Sequence, residues 1–323
     1  MADLYDMVTQ LLRRHRRGRA DGLVGMLTGM VKSMRLSRVC LATFVCVGLA
    51  QPVAAACDTL EAYGSHVGDP AFDSTPAYNA FLAGSTNALC LEAGAYYFLT
   101  KPNPIQKPVR ITGSTVSKSA LVKAYPTPDA IYGEGAVWLL GAEASGTVIE
   151  HLSVPVNPPT THGSAIYLQS LLGSPVSYVT LNDINITYSA GATYDTGLLI
   201  DGTLANTAAQ GVRALKLSNI SVFSSLNYWS ILCGNCIGTM GSGIWTNGSF
   251  YVMGQYTPTT SSVSVVLSNV IVGSEFAVDS TTGFTCASCQ ASWFSFMGGA
   301  TNGSFFGFAP TVRNWGNNTH IYQ

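Results

Sequence analysis

Three aspartates in the middle of the chain are the main candidates for acid–base chemistry. Asp183, Asp195 and Asp201 occur within one short stretch, and Arg213 and Lys216 are the cations that follow them. Hydrolysis of a glycosidic bond uses two carboxyl groups, one as general acid and the other as base or nucleophile. One interpretation is a glycan-cleaving site with two substrate-binding cations, and the alternative is that the aspartates occupy solvated turns.

Aromatic side chains are concentrated in the C-terminal third of the chain. Exposed rings offer flat apolar surfaces on which sugars can stack, and Trp245 and Tyr251 are the candidates because they lie in an insertion between repeated segments. The alternative for the group as a whole is that the rings fill the interior of the fold and close its C-terminal end.

Cysteine pairs raise the question of a metal site. Six cysteines follow residue 56, namely Cys57, Cys90, Cys233, Cys236, Cys286 and Cys289. Zinc ribbons separate their two C-x-x-C pairs by ~15–20 residues, whereas 49 residues separate the pairs here. An even number of cysteines in an exported chain indicates disulfides, so we predict disulfides and no metal site.

These residues are set in a repeated strand pattern. Apolar positions alternate in four similar segments, 149–154, 181–186, 217–222 and 267–272, and a second short strand follows each segment. Period-two alternation without intervening helices predicts a solenoid of stacked strands. Equivalent residues then stack ~4.8 Å apart, which predicts a column of His151, Asp183, Asn219 and Asn269. The column is either a polar site or a ladder of side chains that cap the turns.

The later repeats suggest how the cysteines pair. The C-x-x-C motif that begins at Cys233 recurs at Cys286, 53 residues later, which indicates that one long coil follows another. Stacking on consecutive coils favours the pairs Cys233–Cys286 and Cys236–Cys289, and bridges within each C-x-x-C motif are the alternative. Cys57 with Cys90 would fasten the N-terminal segment.

The N-terminal segment has the pattern of an export signal. Residues 34–56 comprise a short basic stretch, an apolar run of twelve residues and a small-residue end. This order is typical of a secretory signal peptide, and a twelve-residue run is too short to span a membrane, which needs ~20 residues. Residues 1–33 are interpreted as an upstream extension with a misassigned start. We expect a secreted or periplasmic protein, with a lipid anchor on Cys57 as the less favoured alternative.

Charge argues against nucleic-acid binding. Half of the 16 basic residues lie before residue 39, and from residue 57 onward eight basic residues face 14 acidic ones. Such a body has little positive charge with which to neutralise phosphates.

The segment after the predicted signal resembles the entry region of the pectate lyase-like right-handed β-helix superfamily, which includes phage tailspikes. Residues 68–82 are similar to its entry turn and capping helix, and residues 90–97 to its first strand. The resemblance implies an all-β fold over 57–323: a right-handed, single-stranded parallel β-helix with a short N-terminal capping helix. The cap and first coils would comprise 57–125, and 301–323 would form a C-terminal cap or tail.

The resemblance also limits the functions to consider. Lyases of the superfamily use aspartates to hold Ca²⁺ against a uronate, so Ca²⁺ is expected only if the chain is a lyase. We expect binding of extracellular or cell-surface polysaccharide with weak or no cleavage. The alternatives are a polysaccharide lyase or glycoside hydrolase acting on an acidic glycan, and a structural, adhesin or tailspike-like protein that forms a homotrimer.

Overall fold

A computed structural model describes residues 57–126, 135–157, 163–171, 173–188, 196–201, 211–223, 229–254 and 262–323. Residues Cys57–Gln323 form one compact unit. The predicted signal peptide, Asp195 and the extension at 1–33 lie outside the described residues. A short 3₁₀ turn covers Glu61–Tyr63, a second covers Ala142–Ala144, and helix α1 covers Thr75–Ala83.

Nearly all other regular structure is β. In chain order the strands of the described residues are β1 Ala88–Leu91, β2 Gly94–Phe98, β3 Arg110–Gly113, β4 Ser119–Lys123, β5 Gly135–Leu140, β6 Val148–Val156, β7 Ser164–Gln169, β8 Thr180–Tyr188, β9 Thr196–Asp201, β10 Val212–Arg213, β11 Lys216–Phe223, β12 Trp229–Gly234, β13 Cys236–Ile237, β14 Met240–Thr246, β15 Ser249–Met253, β16 Ser262–Val263, β17 Val266–Asp279, β18 Thr281–Thr282, β19 Thr285–Phe296, β20 Ser304–Phe308, β21 Thr311–Asn314 and β22 His320–Tyr322.

The strands stack in parallel, coil upon coil. β6 pairs with β8, β8 with β11, β11 with β14, and β14 with β17. A second series runs from β5 through β7, β9, β12 and β15 into the latter parts of β17 and β19, and ends at β21. Four short strands, β10, β13, β16 and β18, form a third parallel series. This is a parallel β-helix, and the predicted fold class is confirmed.

Alternating burial explains why these sequences form coils. In β8 the apolar residues Leu181, Ile184 and Ile186 are at most 1% exposed, while Asn185 between the last two is half-buried. Alternate side chains of a strand point to opposite faces, so each strand sends one set of side chains into the interior. Equivalent apolar residues of successive coils then stack into one continuous core.

The predicted polar column marks a bend in the long strands. His151, Asp183, Asn219 and Asn269 all have φ between 52° and 59°, a left-handed conformation that Asn and Asp tolerate better than most residues. The step from Asn219 to Asn269 was wrong, because β14 lies between them and places Gly243 (φ 64°) in the column. Two coils, not one long coil, occupy that interval. We call the residues His151, Asp183, Asn219, Gly243 and Asn269 the bend column.

The N-terminal end is covered by α1 and a disulfide. Tyr78 and Phe81 of α1 are fully buried against the first coils. Cys57 and Cys90 form a disulfide, as predicted. Because this bond uses the sulfur of Cys57, a lipid anchor on that residue is incompatible with the structure.

Each C-x-x-C motif forms its own disulfide. Cys233 bonds to Cys236 and Cys286 to Cys289, so the favoured cross-coil pairing was wrong and the local alternative is correct. Cys233 lies in β12 of the second series, next to its last residue, whereas Cys286 lies in β19, which pairs through its first part with β17 and β20. The two motifs therefore lie at different corners of the coil.

Most of the late phenylalanines belong to the core. Phe250, Phe276, Phe294 and Phe305 are at most 1% exposed, and the rings of Phe250 and Phe276 stack at 5.0 Å. Other rings near the C-terminus remain outside, including Phe308 at 61% exposure. Within the described residues, no helix is long and apolar enough to cross a membrane.

Candidate functional site

Five outward-facing side chains of the second strand series form a row, which we call the ring row. Its members, in successive coils, are Trp138, Tyr167, Leu199, Leu232 and Tyr251. Trp138 lies between Val137 and Leu139, both of which are fully buried in the core. Because side chains alternate along a strand, the ring row faces away from that core, and its members belong to a second apolar cluster.

The aromatic members of the ring row have polar partners in the following coil. Each donates a hydrogen bond to the residue two positions beyond its own register partner: Trp138 Nε1 to Gln169 Oε1 (3.2 Å), Tyr167 Oη to Asp201 Oδ2 (3.2 Å) and Tyr251 Oη to Asp279 Oδ2 (3.3 Å). The pattern is a ring in one coil beside an acceptor in the next. A bond to a carboxylate is charge-assisted and fixes the orientation of the phenol ring.

Burial divides the ring row into a covered middle and accessible ends. Tyr167, Leu199 and Leu232 are 3%, 1% and 4% exposed, whereas Trp138 and Tyr251 are half-buried. Burial raises the pKa of Tyr167, and the neighbouring charge of Asp201 raises this pKa further, so the phenol keeps its proton and stays a donor. The accessible surface is therefore aromatic at both ends.

The two ends carry further groups. Half-buried Trp229 stacks on Tyr251, with the ring centroids 5.4 Å apart. At the other end Trp138 stacks on Tyr167 at 6.3 Å, and the Lys101 ammonium lies 4.9 Å from the centroid of the Trp138 ring. These are flat apolar surfaces with hydrogen-bonding groups at their edges, a combination typical of ligand sites.

A separate group of charged residues lies at the bend in three consecutive coils, and we call it the bend cluster. It comprises Arg110 of β3, Glu150 and His151 of β6, and Asp183 of β8. Arg110 Nε donates to Glu150 Oε1 at 2.9 Å, and His151 Nδ1 lies 3.0 Å from Asp183 Oδ2. His151 Nε2 lies 3.9 Å from Glu150 Oε2. The side chains of His151 and Asp183 are 42% and 35% exposed, so solvent reaches them.

The bend cluster has the groups that proton transfer requires. An ionised Asp183 can only accept, so the proton in its bond to His151 resides on Nδ1. Nε2 of the neutral ring is then free to accept a proton, as a general base does. Arg110 holds Glu150 in place by a hydrogen bond. The Glu150 carboxylate would stabilise the imidazolium form of His151 by charge attraction.

The three predicted catalytic aspartates do not form one group in the described residues. Asp183 belongs to the bend cluster in β8, whereas Asp201 is 5% exposed at the end of β9 and accepts from Tyr167. Asp201 stacks on Gly234, and Met253 and then Asp279 follow in the next coils. Asp195 lies outside the described residues.

The predicted substrate-binding residues are spread over several faces. Tyr251 belongs to the ring row. Trp245 lies on β14, is 40% exposed and packs edge-on against Phe223 at 4.1 Å. Arg213 lies in the short strand β10, and Lys216 is exposed at the start of β11. Their roles in binding stay predictions.

Several site residues were not singled out from the sequence. Trp138 and Tyr167 carry a usable signal, since each is a ring between two aliphatic residues in an alternating strand. The pairing of His151 with Asp183 follows from the column, but Arg110 joins it from a coil outside the four aligned segments. In the described part of the chain, no three His, Cys, Asp or Glu side chains are grouped to hold a metal ion.

Comparisons with known proteins bear on the architecture. No family model and no curated protein matches the chain. Among solved structures, the A-module of the Azotobacter vinelandii mannuronan C-5 epimerase AlgE6 is 14% identical, with 79% of each chain covered and a TM-score of 0.47. The phiAB6 tailspike, solved with oligosaccharides of Acinetobacter baumannii surface polysaccharide, is 14% identical over 81% of this chain and 47% of its own, with a TM-score of 0.38. The Streptococcus pneumoniae surface protein and adhesin PfbA is 9% identical over 83% of this chain and 100% of its own, with a TM-score of 0.36. Similarities at this level concern the fold alone.

Proposed function

We propose that this chain, whose fold is the right-handed parallel β-helix of the pectate lyase-like superfamily, binds extracellular or cell-surface polysaccharide along the ring row, with weak or no cleavage. The observation that carries the proposal is the pairing of an accessible ring with an acceptor from the next coil at both ends of the ring row, Trp138 with Gln169 and Tyr251 with Asp279. The two ends lie on one line along the fold axis, as a linear polymer would require.

The chemistry of sugars fits this arrangement. A pyranose ring has an apolar C–H face and hydroxyl groups around its edge, so an aromatic platform with acceptors at its side meets both requirements. Successive coils are ~4.8 Å apart, so groups on neighbouring coils contact neighbouring parts of one polymer. The stacked rings of Tyr251 and its neighbour Trp229 provide an accessible platform at one end of the row.

The three disulfides support an exported protein. Cys57–Cys90, Cys233–Cys236 and Cys286–Cys289 use all six cysteines of the unit Cys57–Gln323. Disulfides form and persist outside the reducing cytosol. Export gives a polysaccharide-binding face access to polymers at the cell surface or beyond.

Affinity electrophoresis of the purified protein through gels that contain neutral or acidic polysaccharides tests the proposal. Tyr251→Ala should weaken retention roughly ten-fold, which is about 1.4 kcal/mol, because it removes the stacking platform. Tyr251→Phe keeps the ring and should lose only a minor part of this retention. Tyr178→Ala is the matched control, since that ring is 73% exposed and lies off the row. Equal retention of the Tyr251→Ala protein and the unsubstituted protein on every polymer would contradict the proposal.

Cleavage at the bend cluster is the second candidate, favoured by the 3.0 Å contact between His151 and Asp183. Incubation with the same polymers, with and without Ca²⁺, would report hydrolysis as new reducing ends and elimination as unsaturated uronide absorbance. If the cluster is catalytic, His151→Ala abolishes product formation, whereas Tyr251→Ala lowers it through binding. Absence of product from the unsubstituted protein supports binding alone.

A further inference from the structure

A guanidinium group lies close to two indole rings at the C-terminal end of the same face. Arg313 Cζ is 4.1 Å from the centroid of the Trp293 ring and 5.6 Å from that of Trp315. Arg313 and Trp315 are exposed, the latter by 59%. We call these three residues the Arg313 clamp.

The register places the clamp on the line of the ring row. Tyr251 pairs with Ala277, Ala277 with Ser295, and Ser295 with Arg313. Three steps of ~4.8 Å put Arg313 about 14 Å beyond Tyr251. A polymer that stacks on Tyr251 and continues toward the C-terminal end therefore reaches the guanidinium.

The stacking leaves the donors of Arg313 available. A guanidinium stacks through its flat face, whereas its five N–H groups point outward in the plane. Among the described residues, Arg313 has no carboxylate partner within ion-pair distance. The indoles thus hold the cation in place, and because Arg313 is exposed, solvent reaches its N–H groups. Such an edge matches a carboxylate in a bidentate geometry.

The net charge of residues 57–323 makes the position of each cation important for binding an acidic sugar. From residue 57 onward, eight basic residues face 14 acidic ones, so this part of the chain repels a polyanion. A negative sugar can therefore be held only where a cation is placed for it. Arg313 at one end and Lys101 at the other both lie over tryptophans of the same face.

We infer that the Arg313 clamp is a subsite for the carboxylate of a uronic acid, so that the polymer bound by the ring row is an acidic polysaccharide. The inference rests on the proposed function, since the ring row supplies the remaining contacts. The Arg313 clamp identifies the class of polysaccharide, which the ring row alone does not determine.

Polygalacturonic acid and its fully methyl-esterified form test the clamp, because they differ in the charge of the carboxyl group. The unsubstituted protein should bind the acid more tightly than the ester, and Arg313→Gln should abolish this difference through a roughly ten- to hundred-fold loss on the acid alone. Arg313→Lys should keep only part of the preference for the acid, because an ammonium group lacks the planar fork of a guanidinium. Lys118→Gln, which removes the same charge from an exposed position away from the clamp, should bind as the unsubstituted protein does.

The outcomes separate the two proposals. If Tyr251→Ala weakens binding of both polymers but Arg313→Gln leaves the preference for the acid unchanged, the clamp proposal is wrong and the ring row stands. If Tyr251→Ala changes neither, the proposed function itself fails. Binding of sulfated dextran that Arg313→Gln weakens more than binding of the acid would assign the clamp to sulfate esters and overturn the carboxylate assignment. Tryptophan fluorescence gives a second readout: Arg313→Gln should reduce the change in emission that the acid causes, and should leave the change that the ester causes at the ring row unaltered.

Discussion

Asp73 shows how one carboxylate fastens the N-terminal cap to the first coil. Its Oδ1 accepts from the backbone N–H groups of Thr75 and Leu99, both at 3.0 Å, and its Oδ2 accepts from the Thr100 hydroxyl at 2.6 Å. Burial tends to raise the pKa of Asp73, but these hydrogen bonds outweigh it and hold the pKa below its usual range. The carboxylate therefore joins the start of α1 to the turn after β2.

The lowered pKa fixes the sign of a pH dependence. A carboxyl whose pKa is depressed by folding stabilises the fold fully above its unfolded pKa of ~3.9, and loses this contribution as the pH falls through the folded value. Asp73→Ala should lower the free energy of unfolding by about 1–3 kcal/mol near neutral pH, since it leaves its donors unsatisfied. The difference from the unsubstituted protein should shrink in acid. Urea unfolding of both proteins, near neutral pH and in acid, measures this difference.

Asp69→Ala is the control for Asp73→Ala. Asp69 is exposed and accepts one backbone bond, from Ala71 at 2.9 Å. Its removal should change stability by less than ~0.5 kcal/mol. An Asp73→Ala effect that is the same in acid as near neutral pH would show that lost packing, not the ionised carboxylate, causes it.

At the scale of the element, the residue type at the bend of each long strand determined which coils could be recognised from the sequence. Asn, Asp and His at the bend made four segments recognisable, and the column was predicted from them. Gly243 meets the same requirement for positive φ without resembling Asn, and its segment Gly241–Thr246 has glycine where its neighbours have leucine. The coil of β14 and β15 was therefore missed, although Asn269 of the following coil does lie in the predicted column.

The bend also yields a prediction on backbone conformation. Asn269 is exposed and has φ of 52°, a region that costs a residue with a Cβ about 1–2 kcal/mol. Asn269→Ala should lose roughly 1 kcal/mol of stability, because alanine lacks the local hydrogen bonding that lets Asn tolerate this conformation. Asn269→Gly should be neutral or slightly stabilising. The comparison requires only urea midpoints, and equal midpoints for the two variants would show that the bend places no demand on φ.

The candidate site was less predictable than the fold for a similar reason. A ring-row pair such as Tyr167 with Asp201 joins residues of successive coils, and its geometry depends on register and on a two-residue offset. Loops of different length separate the coils, so spacing along the chain does not reveal that register. Arg313 illustrates the same limit, because its place in line with Tyr251 depends on three successive pairings.

At the scale of the molecule, the two ends of the solenoid differ. The first coils are covered by α1 and fastened by Cys57–Cys90. In the described residues, β21 pairs only with β19 and β22 only with β20, and most of their residues are exposed. The stability of a solenoid is approximately a sum over neighbouring coils. Local opening should therefore start at the C-terminal end.

Hydrogen exchange followed by mass spectrometry would measure this gradient. Amides of β21 and β22 should exchange at least about ten-fold faster than those of β8 and β11, because each central strand is held by neighbours on both edges. Gly307→Ala should steepen the gradient, since a Cβ there would lie 1.8 Å from the carbonyl oxygen of Cys289. Exchange should then accelerate in β19 to β22 and stay unchanged in β8. Gly298→Ala is the matched control, because a Cβ at that glycine meets nothing within 4 Å. Equal acceleration in β8 and β20 would mean that the coils open as one cooperative unit, and the nearest-neighbour description would not apply to this chain.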